Sequence, residues 1–363
     1  MDNTGNHSDS ANLQSMNHAA EVMTAWSPPP NWPVIRVIDA HTEGEPLRVI
    51  VSGYPALHGS TILERRREAK HFHDALRTAL MWEPRGHADM YGCLVTPPVT
   101  SGADFGVLFM HNEGYSTMCG HGIIAVTKVV LETGLLPRQS PTTQVAIDTP
   151  AGLVVAYADV IDGHVHRVRF RNVPSFAYAL DQFAEVPGLG TLRYDIAFGG
   201  AFYAYVQASD VGLTCTPEDY GELIKHGKAI KQAVMEQANI THPVEKDLGF
   251  LYGTIFIGAP EAPDAHSRNV CVFAEGEVDR SPTGTGVSGR AALHYARGEV
   301  TKGESLIIES IIGSRFTVHV AETVPFGPFD AIIPEVEGRA YITGCSTFCL
   351  DPNDPLTTGF ILR

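Results

Sequence analysis

Two glycine-rich segments repeat one another along this 363-residue chain, and any fold it adopts has to accommodate both. The first, Cys119-Gly120-His121-Gly122, runs on through IIAVTKVVLET and stops at Gly134. The second, Thr283-Gly284-Thr285-Gly286, runs on through VSGRAALHYAR and stops at Gly298. In both, fifteen positions separate the leading residue from the closing glycine, the pattern of a helix ended by a left-handed glycine cap. After each comes a pair of strand-like runs broken by a glycine, Gly152 in one case and Gly313 in the other. The repeat predicts a duplicated α/β unit. Because Ile123, Ile124, Val126, Val129, Val130 and Leu131 cover most of its circumference, the first helix is expected to be buried and wrapped by strands. Runs such as GVLFMH, GLVVAYADV, HRVRFRNV, VCVFA and RFTVHV supply those strands.

A glycine-flanked residue at the start of a buried helix meets unpaired backbone N–H groups and the positive end of the helix dipole, which suits a carboxylate or phosphate. The same field favours the thiolate of a cysteine placed there. Two such starts facing one another across a cleft would clamp a small carboxylate and stabilise the enolate-like state formed when an α-proton leaves an amino acid. Taken singly, each turn reads more simply as a tight helix entry, with Cys119 a core thiol. The matched pair, with an ionisable Cys119 in one and Asp279 just before the other, favours the chemical reading.

The rest of the chain narrows the partners. With 44% hydrophobic residues it can bury a sizeable core and form two domains. The formal charge of -15 and the absence of any basic run argue against nucleic acid and anionic membrane. No apolar stretch is long enough to span a bilayer and no signal peptide is recognisable, so a cytoplasmic protein is expected, with its six cysteines as thiols. Residues 1–32, rich in Asn, Ser and His, read as a disordered leader, and structure is expected from Val34 with a hairpin over VIRVIDAHTEGEPLRVIVSG. Ile62 to Met81 reads as one surface helix, and His41 as structural. Cys345 and Cys349 lack a second ligand pair and read as buried thiols, so no metal is expected. No complete dinucleotide or phosphate-loop motif is present, so no cofactor is expected either.

The run Met118 to Gly122 and the run Asp279-Arg280-Ser281-Pro282-Thr283-Gly284-Thr285-Gly286 resemble the two active-site signatures of the proline racemase family, a branch of the diaminopimelate epimerase-like fold. DAHTEGEPLRV at 39–49, EPRGHADMYG at 83–92, NVPSF at 172–176, FGGAFYA at 198–204 and YITGCSTF at 341–348 extend the resemblance over nearly everything after the leader. It implies an α/β (α+β) fold of two pseudo-symmetric domains, each with strands around a central helix: residues 33–140 plus 341–363, and 141–340. It also implies a homodimer and a proline-type substrate. Cys119 and Thr283 then occupy the catalytic positions, with Gly120, His121, Gly284 and Thr285 binding substrate and Asp279 receiving the ring ammonium.

Racemases and 4-hydroxyproline epimerases of this family carry cysteine in both signatures, whereas here the second position is Thr283. A hydroxyl is too weak an acid to replace the second thiol, and the Cys plus Thr pattern resembles that of the trans-3-hydroxy-L-proline dehydratases. In that substrate the 3-hydroxyl shares a ring face with the α-hydrogen, so Cys119 can remove the α-proton while the resulting thiol, or a neighbour such as His121, protonates the leaving hydroxyl on the same side. A racemase or 4-hydroxyproline epimerase is the alternative, and a non-catalytic binding protein the third reading.

Overall fold

The computed structural model describes residue 16 and residues 18–362. Most of the expected leader lies outside the described residues; residues 18–24 are helical and exposed, so that part is not the coil the composition suggested. Regular packing begins at strand Val34–Thr42, which turns through Glu43 and Gly44 into Glu45–Ser52. Both turn residues have positive φ, 49° and 96°, the geometry of a tight two-residue hairpin. The next segment forms two helices, not the single one expected: α1, Ile62–Phe72, opened by a Thr61/Glu64 capping box, and α2, Asp74–Met81. The break falls at His73, and α2 buries Arg77 to Met81 instead of lying on the surface.

The two repeated segments form α3, Gly120–Glu132, and α5, Gly284–Ala296, each of 13 residues. Gly134 and Gly298 close them at φ 76° and 70°, in the left-handed region a glycine enters without strain. Between them lies the longer α4, Tyr220–Gln237. Strands Val34–Thr42, Glu45–Ser52, Gly152–Ile161, His164–Arg171 and Ala340–Cys349 contact α3, which buries eleven of its thirteen residues. Strands Phe176–Val186, Gly190–Phe198, Phe202–Gln207, Ser267–Phe273 and Arg315–Phe326 surround α5 in the same way.

The duplication extends to strand pairing. Glu45–Ser52 pairs parallel with Tyr91–Thr96, and its counterpart Phe202–Gln207 pairs parallel with Leu251–Gly258. The parallel contact of Phe105 with Ile147 has its equivalent in that of Ser267 with Ile308. Each unit also receives a strand from the chain that follows the other one: Ala340–Cys349 pairs with Val34–Thr42, and Phe176–Val186 with Gly190–Phe198. The C-terminal strand thus lies beside the N-terminal hairpin. The strands just after residue 140 also pack on α3, because Thr142–Thr149 continues antiparallel into Gly152–Ile161 and His164–Arg171. We propose the boundary between the units at about Asn172, in place of residue 140.

The helices meet end to end at glycine. A Cβ built on Gly120 would lie 2.7 Å from the Cα of Gly284, and one on Gly284 would lie 2.7 Å from the Cα of Gly120. That spacing leaves no room for a methyl group without moving backbone. Gly120→Ala should therefore destabilise the protein by about 1–3 kcal/mol, the usual scale for overpacking. A lowered urea midpoint at unchanged m-value is the expected reading; an unchanged midpoint would mean that the helix ends are not in contact.

Candidate active site

Around this meeting point the chain leaves a small cavity lined by Glu45, Tyr91, Met118, Cys119, Gly120, His121, Tyr203, Tyr252, Phe273, Asp279, Thr283, Gly284 and Thr285. All seven residues singled out from the sequence are among them. His41 is not; its Nδ1 accepts the Gly44 N–H at 3.1 Å within the hairpin turn. Sequence reasoning missed Glu45, Tyr91, Tyr203, Tyr252 and Phe273. Of these, Glu45, Tyr91 and Tyr203 lie in segments that carried the family resemblance, but nothing in their local pattern marks a side chain that turns inward.

Cys119 is the N-cap of α3, in extended conformation at φ −149°, and its Sγ accepts the Gly122 N–H at 3.2 Å. The position is the one expected, yet the balance of forces on the thiol is not. Burial pushes its pKa well above the ordinary value, and the nearby Asp279 and Glu45 carboxyls add to this. The Gly122 N–H and the nearby Tyr91 hydroxyl oppose the rise without overcoming it. The helix field alone does not make this cysteine a thiolate, since water has been removed from around it.

His121 presents its ring beside the thiol, with Nδ1 3.3 Å and Nε2 3.6 Å from Sγ. Burial, helped by the Arg280 guanidinium, lowers its pKa to about 3, so the imidazole is neutral. The Tyr91 ring meets it edge-on, with centroids 4.7 Å apart. On the other side of the ring, Thr42 Oγ1 donates to the His121 carbonyl at 2.8 Å and ties the first turn of α3 to the hairpin.

Thr283 is the N-cap of α5 and the counterpart of Cys119, but its backbone stands at φ 67°. For a β-branched residue that conformation costs on the order of 1–3 kcal/mol. Its Oγ1 is buried beside Asp279 and Cys271, placed to hydrogen-bond with both and favour their ionised forms. The loop before it is held locally: Asp279 accepts the Ser281 N–H at 2.8 Å, and Ser281 Oγ accepts the Thr283 N–H at 3.1 Å. Burial raises the Asp279 pKa, against the pull of Ser281 and Arg280.

The two units are also clamped electrostatically. Glu45, only 1% exposed, accepts the Arg280 N–H at 2.8 Å and pairs with its Nε at 3.2 Å. Arg280 in turn donates to the Asp89 carbonyl at 3.1 Å. Behind Thr285, Tyr203 hydroxyl lies 2.8 Å from its Oγ1, and Tyr205 donates to the Gly286 carbonyl at 2.9 Å. The first N–H groups of α3 and α5, which no helix can satisfy internally, open onto this space. Cys345 and Cys349 lie elsewhere, and the expectation that they are buried is corrected: Cys345 is exposed and Cys349 only partly covered, on the outer C-terminal strand. Among the described residues no group of His, Cys, Asp and Glu is arranged to hold a metal ion.

Two opposed helix N-termini, a thiol on one and a hydroxyl on the other, define a duplicated α/β protein with a small cavity at the junction of its halves. The chain belongs to the proline racemase family, whose model matches residues 37–361. The trans-3-hydroxy-L-proline dehydratase of Colwellia psychrerythraea is 52% identical over 91% of this chain and 93% of its own length. A 3-hydroxyproline 2-epimerase of Burkholderia multivorans is 45% identical over 91% and 98%. A hydroxyproline epimerase of Agrobacterium vitis, solved with trans-4-hydroxy-L-proline bound, superposes with a TM-score of 0.84 at 34% identity, covering 91% of this chain and 96% of that one. Among the described residues no helix is long and apolar enough to cross a membrane.

The neutral state of His121 has a consequence for stability. The unfolded chain takes up a proton at this residue near the ordinary value of 6.5, and the folded protein only near 3. Its contribution is fully present above the higher value and is lost as pH falls toward the lower one. In an NMR titration the His121 ring signals should stay at their neutral positions from about pH 8 to 5; movement in that interval would mean that the imidazole is hydrated or paired with an anion.

Proposed function

We infer that this chain catalyses the dehydration of trans-3-hydroxy-L-proline to pyrroline-2-carboxylate and water. The observation that carries this reading is the asymmetry of the two helix caps: a thiol at Cys119 and, at the equivalent position, a hydroxyl at Thr283. Among the residues lining the cavity Cys119 is the one cysteine. The names of relatives such as the Colwellia protein support the same reaction.

In this reading the substrate carboxylate lies between the helix starts and accepts N–H groups from Gly120, His121, Gly284 and Thr285. Asp279 takes the ring ammonium. A cation brought beside Cys119 offsets the cost of ionising a buried thiol, so the thiolate forms with substrate present and not before. Cys119 then removes the α-proton, and the electron pair left on C2 forms the C2–C3 double bond as the 3-hydroxyl departs on the same ring face. Thr283 borders the opposite face, where an epimerase would need a second acid. The enamine tautomerises to the imine in solution. A homodimer and a cytoplasmic location belong to the same reading.

A second reading, 3-hydroxyproline 2-epimerase, is favoured by the name of the Burkholderia multivorans relative. It requires a proton donor on the Thr283 side; Cys271, the nearest thiol, does not line the cavity. The two are separated by incubating the protein with trans-3-hydroxy-L-proline, trans-4-hydroxy-L-proline and L-proline, trapping imine and resolving isomers by chiral chromatography. Imine from the 3-hydroxy substrate alone is the expected result, and an inverted amino acid without imine would establish the epimerase.

Two substitutions probe the roles of the caps. Cys119→Ser should lower turnover by about 10³-fold or more with the fold intact by circular dichroism, because the replacement base is far weaker. Substantial residual activity would remove Cys119 from the reaction. Thr283→Cys should lower dehydration about tenfold and introduce exchange of the α-hydrogen with deuterated solvent, since a second thiol now faces the substrate. An unchanged rate without exchange would show that Thr283 does not border the reacting carbon.

A further inference from the structure

The cavity wall next to Cys119 carries a chain of hydroxyls that the reaction as described leaves unused. Tyr91 lines the cavity, is 4% exposed and is hydrogen-bonded to Ser116 Oγ. Ser116 Oγ lies 3.1 Å from the hydroxyl of Tyr252, which also lines the cavity. Strand Gly114–Ser116 brings Ser116 under the thiol just before α3 begins, and Tyr91–Thr96 brings in Tyr91. Behind these hydroxyls stands a second buried pair, His111 Nδ1 with Glu277 Oε2 at 2.8 Å. The His111 ring is stacked on Tyr91 at 5.5 Å and meets Tyr252 edge-on at 6.4 Å. Such a network holds the Tyr91 ring in one place, in the same cavity wall as Cys119.

The location matters because elimination needs a proton on the departing oxygen. Hydroxide is a poor leaving group, and His121, though close, is a neutral ring whose pKa of about 3 makes it a poor proton carrier near neutral pH. Thr283 is buried against Asp279 and Cys271 on the far helix. The leaving 3-hydroxyl is on the α-hydrogen face, which is the Cys119 face, and Tyr91 shares the cavity wall with Cys119 there. Burial pushes the Tyr91 pKa well above its ordinary value, so the phenol gives up its proton only in concert with one returned by the thiol.

Building on the dehydratase reading, we propose that Tyr91 is a catalytic proton relay: its phenol donates to the departing 3-hydroxyl and is reprotonated by the Cys119 thiol, with Ser116 and Tyr252 holding it in line. The step balances. Cys119 thiolate takes the hydrogen from C2; the C2–H bond breaks and S–H forms. The C2 electron pair becomes the C2–C3 double bond as C3–O breaks, and the oxygen leaves as water with the Tyr91 proton. The Tyr91 oxygen takes the proton from sulfur, which restores phenol and thiolate for the next turnover. No oxidant, reductant or second substrate is needed.

Tyr91→Phe removes one oxygen and keeps the ring, its stacking and the volume of the core. The wild-type protein, assayed alongside, separates failure of the relay from failure of the underlying reading: if wild type releases no imine, it is the dehydratase assignment that falls. With wild type active, Tyr91→Phe should lower kcat for imine formation about 100-fold with KM changed less than about threefold. Deuterium from solvent should now enter recovered trans-3-hydroxy-L-proline, because the α-proton still leaves for Cys119 but returns when elimination stalls. Ser116→Ala, which leaves the phenol and loosens its alignment, should move both quantities in the same direction by less. An unchanged kcat in Tyr91→Phe overturns the proposal. So does a parallel loss of imine formation and α-exchange, which would place Tyr91 before proton abstraction, as a group that merely shapes the pocket or tunes the thiol.

Discussion

The structure depends on the contact between Gly120 and Gly284, which places two helix N-termini against each other. Each carries roughly half a positive charge and several N–H groups without acceptors. Two such ends in contact repel, and the cost of that repulsion rises when the surroundings are dry. In the proposed function a single carboxylate between them removes both problems. The wrapped strands, the glycines and the return of Ala340–Cys349 to the first hairpin hold this otherwise unfavourable arrangement in place.

The same dryness sets the chemistry. Burial raises Cys119, Asp279 and Glu45 and lowers His121, each shift disfavouring the charged form. In the proposed reaction an amino-acid zwitterion complements that environment, its carboxylate placed at the helix starts and its ammonium at Asp279. Charge on Cys119 is then coupled to occupancy, which keeps a reactive thiolate from standing exposed to oxidants when no substrate is present. The Glu45–Arg280 pair crosses between the units beside the cavity, so the clamp and the site are built from the same residues.

Much of this was legible from the chain because duplication writes itself twice. The spacing from Cys119 to Gly134 and from Thr283 to Gly298 located both central helices to the residue, and Gly152 and Gly313 marked the hairpins after them. What escaped was information carried by long-range pairing. The boundary near 140 rested on the resemblance alone; the parallel contact of Phe105 with Ile147, which leads into Gly152–Ile161 and His164–Arg171 on α3, has no local signature. The split of the helix at His73 escaped because apolar spacing continues across it. Tyr91, Tyr252 and Glu45 escaped for a related reason: a strand alternates its faces, and only the assembled sheet decides which face meets the cavity. The thiol pKa was misjudged because a helix dipole can be read from sequence and desolvation cannot.

The claim at the centre of the account is that the opposed helix starts hold the substrate carboxylate with Cys119 on one ring face. A crystal structure with the planar analogue pyrrole-2-carboxylate tests it directly. The account predicts carboxylate oxygens within hydrogen-bond distance of the N–H groups of Gly120 or His121 and of Gly284 or Thr285, with Cys119 Sγ and Thr283 Oγ1 on opposite faces of the ring. A carboxylate bound to Arg280 instead, or a ring with both caps on one side, would contradict it.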